Sequence, residues 1–176
     1  MTPGLRLYFL RHGRADRDQF AGPDDGLRPL VEAGRHRTRL VADLLLRLDS
    51  GIDAVVTSPL LRARQTAEIV AGRLGLTDTL IEDARLGPGF DLPTLAAVLA
   101  GLAGDPRRIL MVGHEPSLST VIGEIAGGRV VLRKGALARV DLTVGRRLRG
   151  ELVWLLQPRV LLTCQGAAEA AAHEPD

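Results

Sequence analysis

The chain has 176 residues, of which 45% are hydrophobic and 25% charged, so it is long enough for one globular domain and too short for two full ones. Only 3% of the residues are aromatic, which leaves little material for stacking nucleic-acid bases, and the formal net charge is only +2. These values argue against a disordered chain and against nucleic acid as a partner.

The cysteine count and the hydropathy indicate in which cellular compartment the protein is expected. Cys164 is the only cysteine, so no intramolecular disulfide can form and a reducing compartment is expected. No stretch approaches the roughly 20 apolar residues of a membrane-spanning helix, and the residues from Met1 to Gly4 do not resemble the start of a secretory signal. We therefore expect a cytoplasmic protein without a membrane partner.

Short apolar runs alternate with longer helical patterns in the first two thirds of the chain, which is typical of an α/β fold. The predicted strands are Leu5 to Leu10, Ile52 to Thr57 and Ile109 to Val112. The predicted helices are Pro29 to Leu48, Leu60 to Ala71, Pro93 to Ala103 and Ser117 to Ala126. From Leu76 to Leu92 the pattern weakens, and Gly87, Pro88 and Gly89 mark a loop. Ser58 is predicted to cap the helix that follows it.

The last third of the chain changes character. Val130 to Leu132, Ala138 to Val144 and Leu152 to Leu156 are predicted strands, and an Arg-rich turn joins the last two into a hairpin. The predicted fold is a three-layer α/β/α domain over residues 1–162, with a mostly parallel central sheet and an antiparallel C-terminal edge hairpin. Residues 163–176 are predicted to be a frayed helix or a flexible tail.

Polar clusters follow three of the predicted strands. They are Arg11-His12-Gly13, the residues from Ser58 to Arg62, and Gly113-His114-Glu115. Ligands of open α/β sheets bind outside the carboxyl ends of the strands, so we expect the three clusters to meet in one pocket. Two imidazoles, two guanidinium groups and two helix N-termini would give this pocket a positive potential that suits a phosphoryl group.

These residue types also suit phosphoryl transfer. An imidazole can attack phosphorus, and fixed guanidinium groups can neutralise the oxygens of the transition state without reorganising. A glycine next to the imidazole would let the backbone pass close to the ligand.

The motifs "LRHGRA", "TSPLLRARQTA" and "VGHEP" resemble the signature segments of the histidine phosphatase superfamily, which has the phosphoglycerate-mutase-like fold. The resemblance spans about Leu5 to Ile125, with the three segments in the right order. The small size and the segment "DDGLRPLVEAG" are similar to the bacterial SixA-type phosphohistidine phosphatases within this superfamily.

The resemblance implies a role for each pocket residue. His12 would be the nucleophile that is transiently phosphorylated, Arg11 and Arg62 would bind the phosphoryl oxygens, and His114 would donate to them. Gly13 would be part of the same phosphate-binding site. The resemblance also implies that no metal or organic cofactor is needed.

The general acid is left open at this point. The resemblance places it at Glu115, directly after the second histidine, with Glu82 and Asp83 as rivals, and short family members often have no clear acid. Arg14 departs from the family pattern, because an acidic residue usually follows the glycine. Its side chain is either a further phosphate ligand or exposed to solvent.

Other polar residues have simpler interpretations. His12 and His114 could be hydrogen-bonded core histidines, but their pairing with arginines at strand ends argues against it. No third ligand stands at metal-binding spacing from either ring, so no metal site is predicted. His36 is predicted to be exposed, and Arg64, which points about 200° away from Arg62 around the helix, to form a surface ion pair.

The sequence thus predicts a phosphatase that works through a covalent phosphohistidine intermediate. Phosphohistidine on a protein is the favoured substrate, because the chain has little room for the insertions that enclose small metabolites. The alternatives are a small-molecule phosphomonoesterase and a non-catalytic phosphoprotein-binding module. A mutase is a third alternative, but an open site exposed to water retains a phosphoryl group badly.

Overall fold

A computed structural model describes residues 4–143 and 147–163, which form one six-stranded sheet with helices on both faces. The strands, in chain order, are β1 (Leu5–Arg11), β2 (Ala54–Thr57), β3 (Leu80–Glu82), β4 (Arg108–Gly113), β5 (Leu137–Thr143) and β6 (Arg149–Leu156). The long helices are α1 (Glu32–Arg47), α2 (Leu61–Leu74), α3 (Leu92–Ala100) and α4 (Ser117–Ala126). Single turns of 3₁₀ helix cover Arg17–Gln19, Asp25–Leu27, Thr77–Thr79 and Ala84–Leu86, and residues 158–163 are helical.

The spatial order of the strands is β3-β2-β4-β1-β5-β6. β1 pairs with β4, and β2 with both β3 and β4, in parallel, whereas β5 runs antiparallel to its neighbours β1 and β6. Among the described strands β5 alone is therefore reversed, and β6 points the same way as β1. The predicted fold, with its mostly parallel sheet and its C-terminal hairpin, is confirmed.

Alternate side chains of β1 point into two separate cores. Leu7 and Phe9 join the core under α3 and α4, whereas Tyr8 and Leu10 join the core under α1 and α2. All four side chains are at most 2% exposed. A parallel strand covered by helices on both faces must be apolar throughout, which explains why this segment reads as one unbroken hydrophobic run.

The structure corrects several predicted elements. β3 lies inside the stretch from Leu76 to Leu92, where the sequence predicts no strand, and Val130 to Leu132, predicted as a strand, is not one. Helix α1 begins at Glu32 instead of Pro29, because Val31 has an extended backbone (φ −76°, ψ 161°), and the Leu30 N–H before it donates to the Gln65 side chain 2.9 Å away.

The N-terminus of α2 also differs from the prediction. The residue before this helix is Leu60, which makes no capping hydrogen bond through its side chain. The predicted cap, Ser58, accepts a bond of 3.3 Å from the Leu60 N–H and contacts a histidine instead.

Parts of the predicted C-terminal region lie outside the described residues. These are residues 144–146, in the predicted turn between β5 and β6, and residues 164–176 of the predicted tail. No helix within residues 4–143 and 147–163 combines the length and the apolar character needed to cross a membrane.

Two glycines allow helix α1 to pack closely against the segment that follows β1. The Arg14 carbonyl accepts a hydrogen bond of 3.0 Å from the Val31 N–H, just before α1 begins. A Cβ at Gly34 would overlap the backbone of Arg14, and a Cβ at Gly13 would lie 3.2 Å from the Gly34 carbonyl oxygen. The close approach therefore requires glycine at both positions.

We expect Gly34→Ala to destabilise the protein by about 1–3 kcal/mol, because the overlap with the Arg14 backbone outweighs the gain in helix propensity. Gly72→Ala is the matched control, since it lies in helix α2 and a Cβ there meets nothing within 4 Å. This control should be neutral or stabilising by up to about 1 kcal/mol. Urea denaturation measures both free energies of unfolding, and equal values for the two variants would contradict the packing described here.

Candidate active site

The carboxyl ends of β1, β2 and β4 meet at one edge of the sheet. Arg11 pairs with Gly113 at the end of the β1–β4 ladder, and Thr57 pairs with Val112 at the end of the β2–β4 ladder. The next residues of the three strands are His12, Ser58 and His114. The two histidine rings lie with their centroids 5.1 Å apart, and both side chains are buried.

His12 is held in one tautomer. Its Nδ1 lies 2.7 Å from the Gly13 carbonyl oxygen, and because a carbonyl can only accept, Nδ1 carries the hydrogen. Burial lowers the pKa of His12 to about 3, with smaller contributions from His114, Arg62 and Arg11, against the opposing effect of the Gly13 bond. The ring is therefore neutral at physiological pH, with the lone pair on Nε2.

His114 is oriented by a buried hydroxyl. Its Nε2 lies 2.9 Å from Ser58 Oγ, which also accepts from the Leu60 N–H. The pKa of His114 is lowered to about 4, mainly by burial and to a smaller extent by nearby positive charges, above all that of Arg62. If the Ser58 hydroxyl donates to Nε2, the neutral ring carries its hydrogen on Nδ1, which has no hydrogen-bond partner among the described residues.

The Arg11 side chain is anchored to a loop. Its Nη1 donates to the Leu132 carbonyl at 2.8 Å, while its Nε is buried without a partner among the residues described. Burial lowers the pKa of Arg11, and the charge of Glu115 opposes this effect. The anchor leaves the rest of the guanidinium available for an anion.

The Arg62 side chain projects from the first turn of α2 and is 7% exposed. Its Nη1 donates to the Asp25 carbonyl at 2.9 Å and lies 3.3 Å from Asp25 Oδ2. Arg28 binds the same carboxylate, with its Nε 2.8 Å from Asp25 Oδ1. The Asp25 carboxylate thus sets two guanidinium groups side by side, and both lower the pKa of His114.

Asp25 and Arg28 were not identified as site residues from the sequence. They belong to the segment "DDGLRPLVEAG", which the sequence analysis noted only as a family resemblance. Their proximity to Arg62 depends on a contact across 37 residues of sequence, which local patterns do not show.

Gly13 contributes in a way that differs from the prediction. Its N–H donates to Thr66 Oγ1 at 3.0 Å, and its carbonyl oxygen accepts from His12. Neither polar group of its backbone is therefore free for the predicted contact with phosphate. In the structure Gly13 orients the His12 ring through this hydrogen bond.

The three candidate acids are in different environments. Glu82 lies 3.3 Å from Arg64, and Asp83 lies 2.6 Å from Arg85 and accepts from the N–H of the same residue. Glu115 is half-buried, and its Oε1 has no hydrogen-bond partner in the described part of the chain. Of the three, only Glu115 has a buried carboxylate oxygen without a hydrogen-bond partner among the described residues.

Two further arginines lie outside the pocket. Arg14 is exposed and forms an ion pair of 2.6 Å with Asp16, and Arg64 pairs with Glu68 at 2.9 Å.

Residues 4–143 and 147–163 hold no group of three or more His, Cys, Asp or Glu side chains that could share a metal ion.

The comparisons with known proteins agree on one family. The model of the histidine phosphatase superfamily (branch 1) matches residues 7–87. An uncharacterized protein of Picosynechococcus sp. is 41% identical over 173 residues, which cover 90% of this chain and 99% of the relative. A probable phosphoglycerate mutase, GpmB, of Photorhabdus laumondii is 39% identical over 186 residues, with 78% and 85% covered.

The phosphohistidine phosphatase SixA of Escherichia coli is 28% identical over 155 residues, which cover 88% of this chain and 94% of the relative. A solved structure of the protein histidine phosphatase SixA complexed with tungstate superposes with a TM-score of 0.79. It is 28% identical, and 89% of this chain and 99% of that chain are covered.

We expect the two pocket histidines to stay neutral well below pH 6, with midpoints of about 3 for His12 and about 4 for His114. The unfolded chain takes up these protons near pH 6.5, so it binds more protons than the folded state below that pH. The free energy of unfolding should therefore fall as the pH drops from about 6.5 toward 4.

The measurement is an NMR titration of the imidazole signals, assigned with His12→Gln and His114→Gln, together with urea denaturation between pH 4 and 7. In each variant the loss of stability with acid should be shallower than in the wild type. Protonation of either ring at pH 6 would contradict the electrostatics described here.

Proposed function

This chain belongs to the histidine phosphatase superfamily, branch 1, and is a phosphatase; on that basis we propose that it removes phosphate from phosphohistidine on a protein, with His12 as the nucleophile. The observation that carries the assignment is the tautomer of His12. Its bond to the Gly13 carbonyl leaves a neutral Nε2 lone pair in a pocket with two guanidinium groups and a second imidazole. We take this lone pair as the group that attacks phosphorus.

In the first step, His12 Nε2 forms a bond to phosphorus and the bond from phosphorus to the substrate nitrogen breaks. The substrate imidazole leaves with the electron pair, and it leaves neutral when its other ring nitrogen carries a proton. The phosphorylated His12 ring keeps its Nδ1 hydrogen and becomes cationic. The Gly13 carbonyl, 2.7 Å away, stabilises this charge.

In the second step, a water molecule attacks phosphorus from the side opposite His12 and the bond to Nε2 breaks. The electron pair returns to Nε2, so His12 is again neutral, and the water loses a proton to the solvent or to a nearby carboxylate. Inorganic phosphate leaves the pocket. Two displacements of this kind predict ping-pong kinetics.

Arg11, Arg62 and His114 have the predicted role of holding the phosphoryl oxygens. Arg11 is fixed by the Leu132 carbonyl and Arg62 by Asp25, so neither guanidinium must reorganise when charge develops on those oxygens. When the Ser58 hydroxyl donates to Nε2 of His114, Nδ1 of the same ring is a donor for a phosphoryl oxygen.

A second candidate is a small-molecule phosphomonoesterase. An alkoxide leaving group needs a proton, and Glu115 has an unpartnered carboxylate oxygen directly after His114. An imidazole leaving group needs no such acid, so Glu115→Gln separates the two substrate classes. The third possibility, a phosphoprotein-binding module without activity, gives no reason for a pocket nucleophile held in its reactive tautomer.

We expect His12→Ala to lower kcat by at least about 10⁴-fold, because the attacking atom is removed. Arg62→Ala should lower kcat/KM by about 10²- to 10³-fold through loss of charge stabilisation. Arg64→Ala is the matched control, since this arginine stands two residues further along α2 and pairs with Glu68 outside the pocket. It should stay within about twofold of the wild type.

The assay is hydrolysis of an aryl phosphate together with trapping of the labelled phosphoenzyme. The label should be lost in acid and kept in alkali, as expected for a phosphoramidate, and it should be absent in His12→Ala. Full activity of His12→Ala would end the nucleophile assignment.

We also expect kcat/KM for a phosphohistidine peptide to exceed that for an aryl or sugar phosphate by at least about tenfold. Glu115→Gln should lower turnover of the phosphate esters more than turnover of the peptide, since the leaving imidazole needs no acid. Equal or faster hydrolysis of a small ester by the wild type would favour the phosphomonoesterase instead.

A further inference from the structure

A groove of about 410 Å³ lies beside the pocket and shares Arg11 with it. Six cationic side chains line this groove, which we call the basic groove: Arg11, Arg14, Arg37, Arg133, Lys134 and Arg159. They come from five places in the sequence, namely the end of β1, the segment after it, helix α1, the loop before β5 and the segment after β6.

The charge of the groove is largely uncompensated. Asp16 pairs with Arg14 at 2.6 Å. Arg37, Arg133, Lys134 and Arg159 form no ion pair with any of the described residues. Bringing like charges together costs free energy, and a bound anion offsets this cost.

Backbone contacts fix the groove to the active site. The Gly135 N–H donates to the carbonyls of Arg11 and His12, each at 3.1 Å, so the loop that carries Lys134 is tied to the backbone of the proposed nucleophile. The segment after β6 is tied to the same loop, since Gln157 Nε2 donates to the Val131 carbonyl at 2.6 Å and its Oε1 accepts from the Arg133 N–H. The groove is therefore a fixed extension of the pocket.

We propose that the basic groove binds an acidic stretch of the phosphorylated protein, next to the phosphohistidine that enters the pocket. This inference rests on the proposed function and deepens it, because it names what the enzyme recognises outside the phosphoryl group. A peptide that extends from the pocket passes Arg11 and then meets Lys134, Arg133 and Arg159. Glutamate or aspartate at those positions completes the charge pairs.

The composition of the groove favours a polypeptide over other polyanions. The residues that line it in the described part of the chain include no aromatic side chain, so nucleic-acid bases have no stacking surface. Arg14, Arg133, Lys134 and Arg159 are exposed, whereas sites for small ligands enclose them with buried polar groups. Exposed cations along an open groove suit an extended acidic chain.

The experiment compares two phosphohistidine peptides of equal length, one with glutamates around the histidine and one with glutamines. The groove variant is Arg133→Gln with Arg159→Gln. The control variant is Arg129→Gln with Arg149→Gln, two exposed arginines outside the groove, so that the net charge of the two variants is the same. The readout is the ratio of kcat/KM for the acidic peptide to that for the neutral peptide, which does not depend on the amount of folded enzyme.

The wild type and the control variant should prefer the acidic peptide by about tenfold at low salt, and the groove variant by about twofold or less. The preference should disappear at about 0.5 M salt, where charges on exposed side chains are screened. A wild-type ratio near one, or an equal fall in the groove and control variants, would overturn the proposal.

If the wild type hydrolyses neither peptide, the proposed function fails, and the groove is then tested by binding alone. Fluorescence anisotropy of the unphosphorylated acidic peptide should show weaker binding to the groove variant than to the control variant. Tighter groove-dependent binding of an oligonucleotide of equal charge, or no difference between the variants, would overturn the acidic-peptide assignment.

Discussion

The hydrogen bond from His12 Nδ1 to the Gly13 carbonyl is the constraint on which the proposed chemistry of this phosphatase depends. It selects the tautomer, directs the lone pair of Nε2 and, in the proposed mechanism, stabilises the positive charge of the phosphorylated ring. The bond is in turn held by both helices of one layer, because Thr66 of α2 accepts from the Gly13 N–H and Gly34 lets α1 approach closely. The orientation of the His12 ring thus depends on the packing of two helices against a loop.

Other side chains of the pocket are also fixed by neighbouring residues. Three groups of the site are each held in place by a hydrogen bond to a neighbouring residue. Arg11 is anchored by the Leu132 carbonyl, Arg62 by Asp25 and His114 by Ser58. Groups that are fixed before a ligand arrives stabilise developing charge without first rearranging.

The sequence predicted the frame of the sheet because buried parallel strands read as unbroken apolar runs. It missed β3, since a strand of three residues at the edge of the sheet, partly exposed, has almost no pattern. It predicted a strand at Val130 to Leu132 because that run is apolar. There the Leu132 side chain is buried in the core, while its N–H is bound by Ser119 and its carbonyl by Arg11, so no strand ladder can form.

The pocket itself was predicted from polar residues at three strand ends, since the topology of a parallel sheet brings such ends together. The residues that hold the pocket side chains in position were not predicted. Ser58 was taken for a helix cap, and neither Thr66 nor Asp25 was assigned a role. Their contacts join residues 56, 53 and 37 positions apart, and no local periodicity encodes contacts of that range.

The reversed direction of β5 determines where the chain can accept an insertion. Leu142 of β5 pairs with Leu5 and Thr143 pairs with Arg149, so β5 ends and β6 begins beside the amino end of β1, at the far end from His12. An insertion or a fused peptide in the connection between β5 and β6 would sit a full strand length from the reacting atoms. The chain therefore has a natural attachment point where a label, an anchor or an extra domain can be added without disturbing the chemistry.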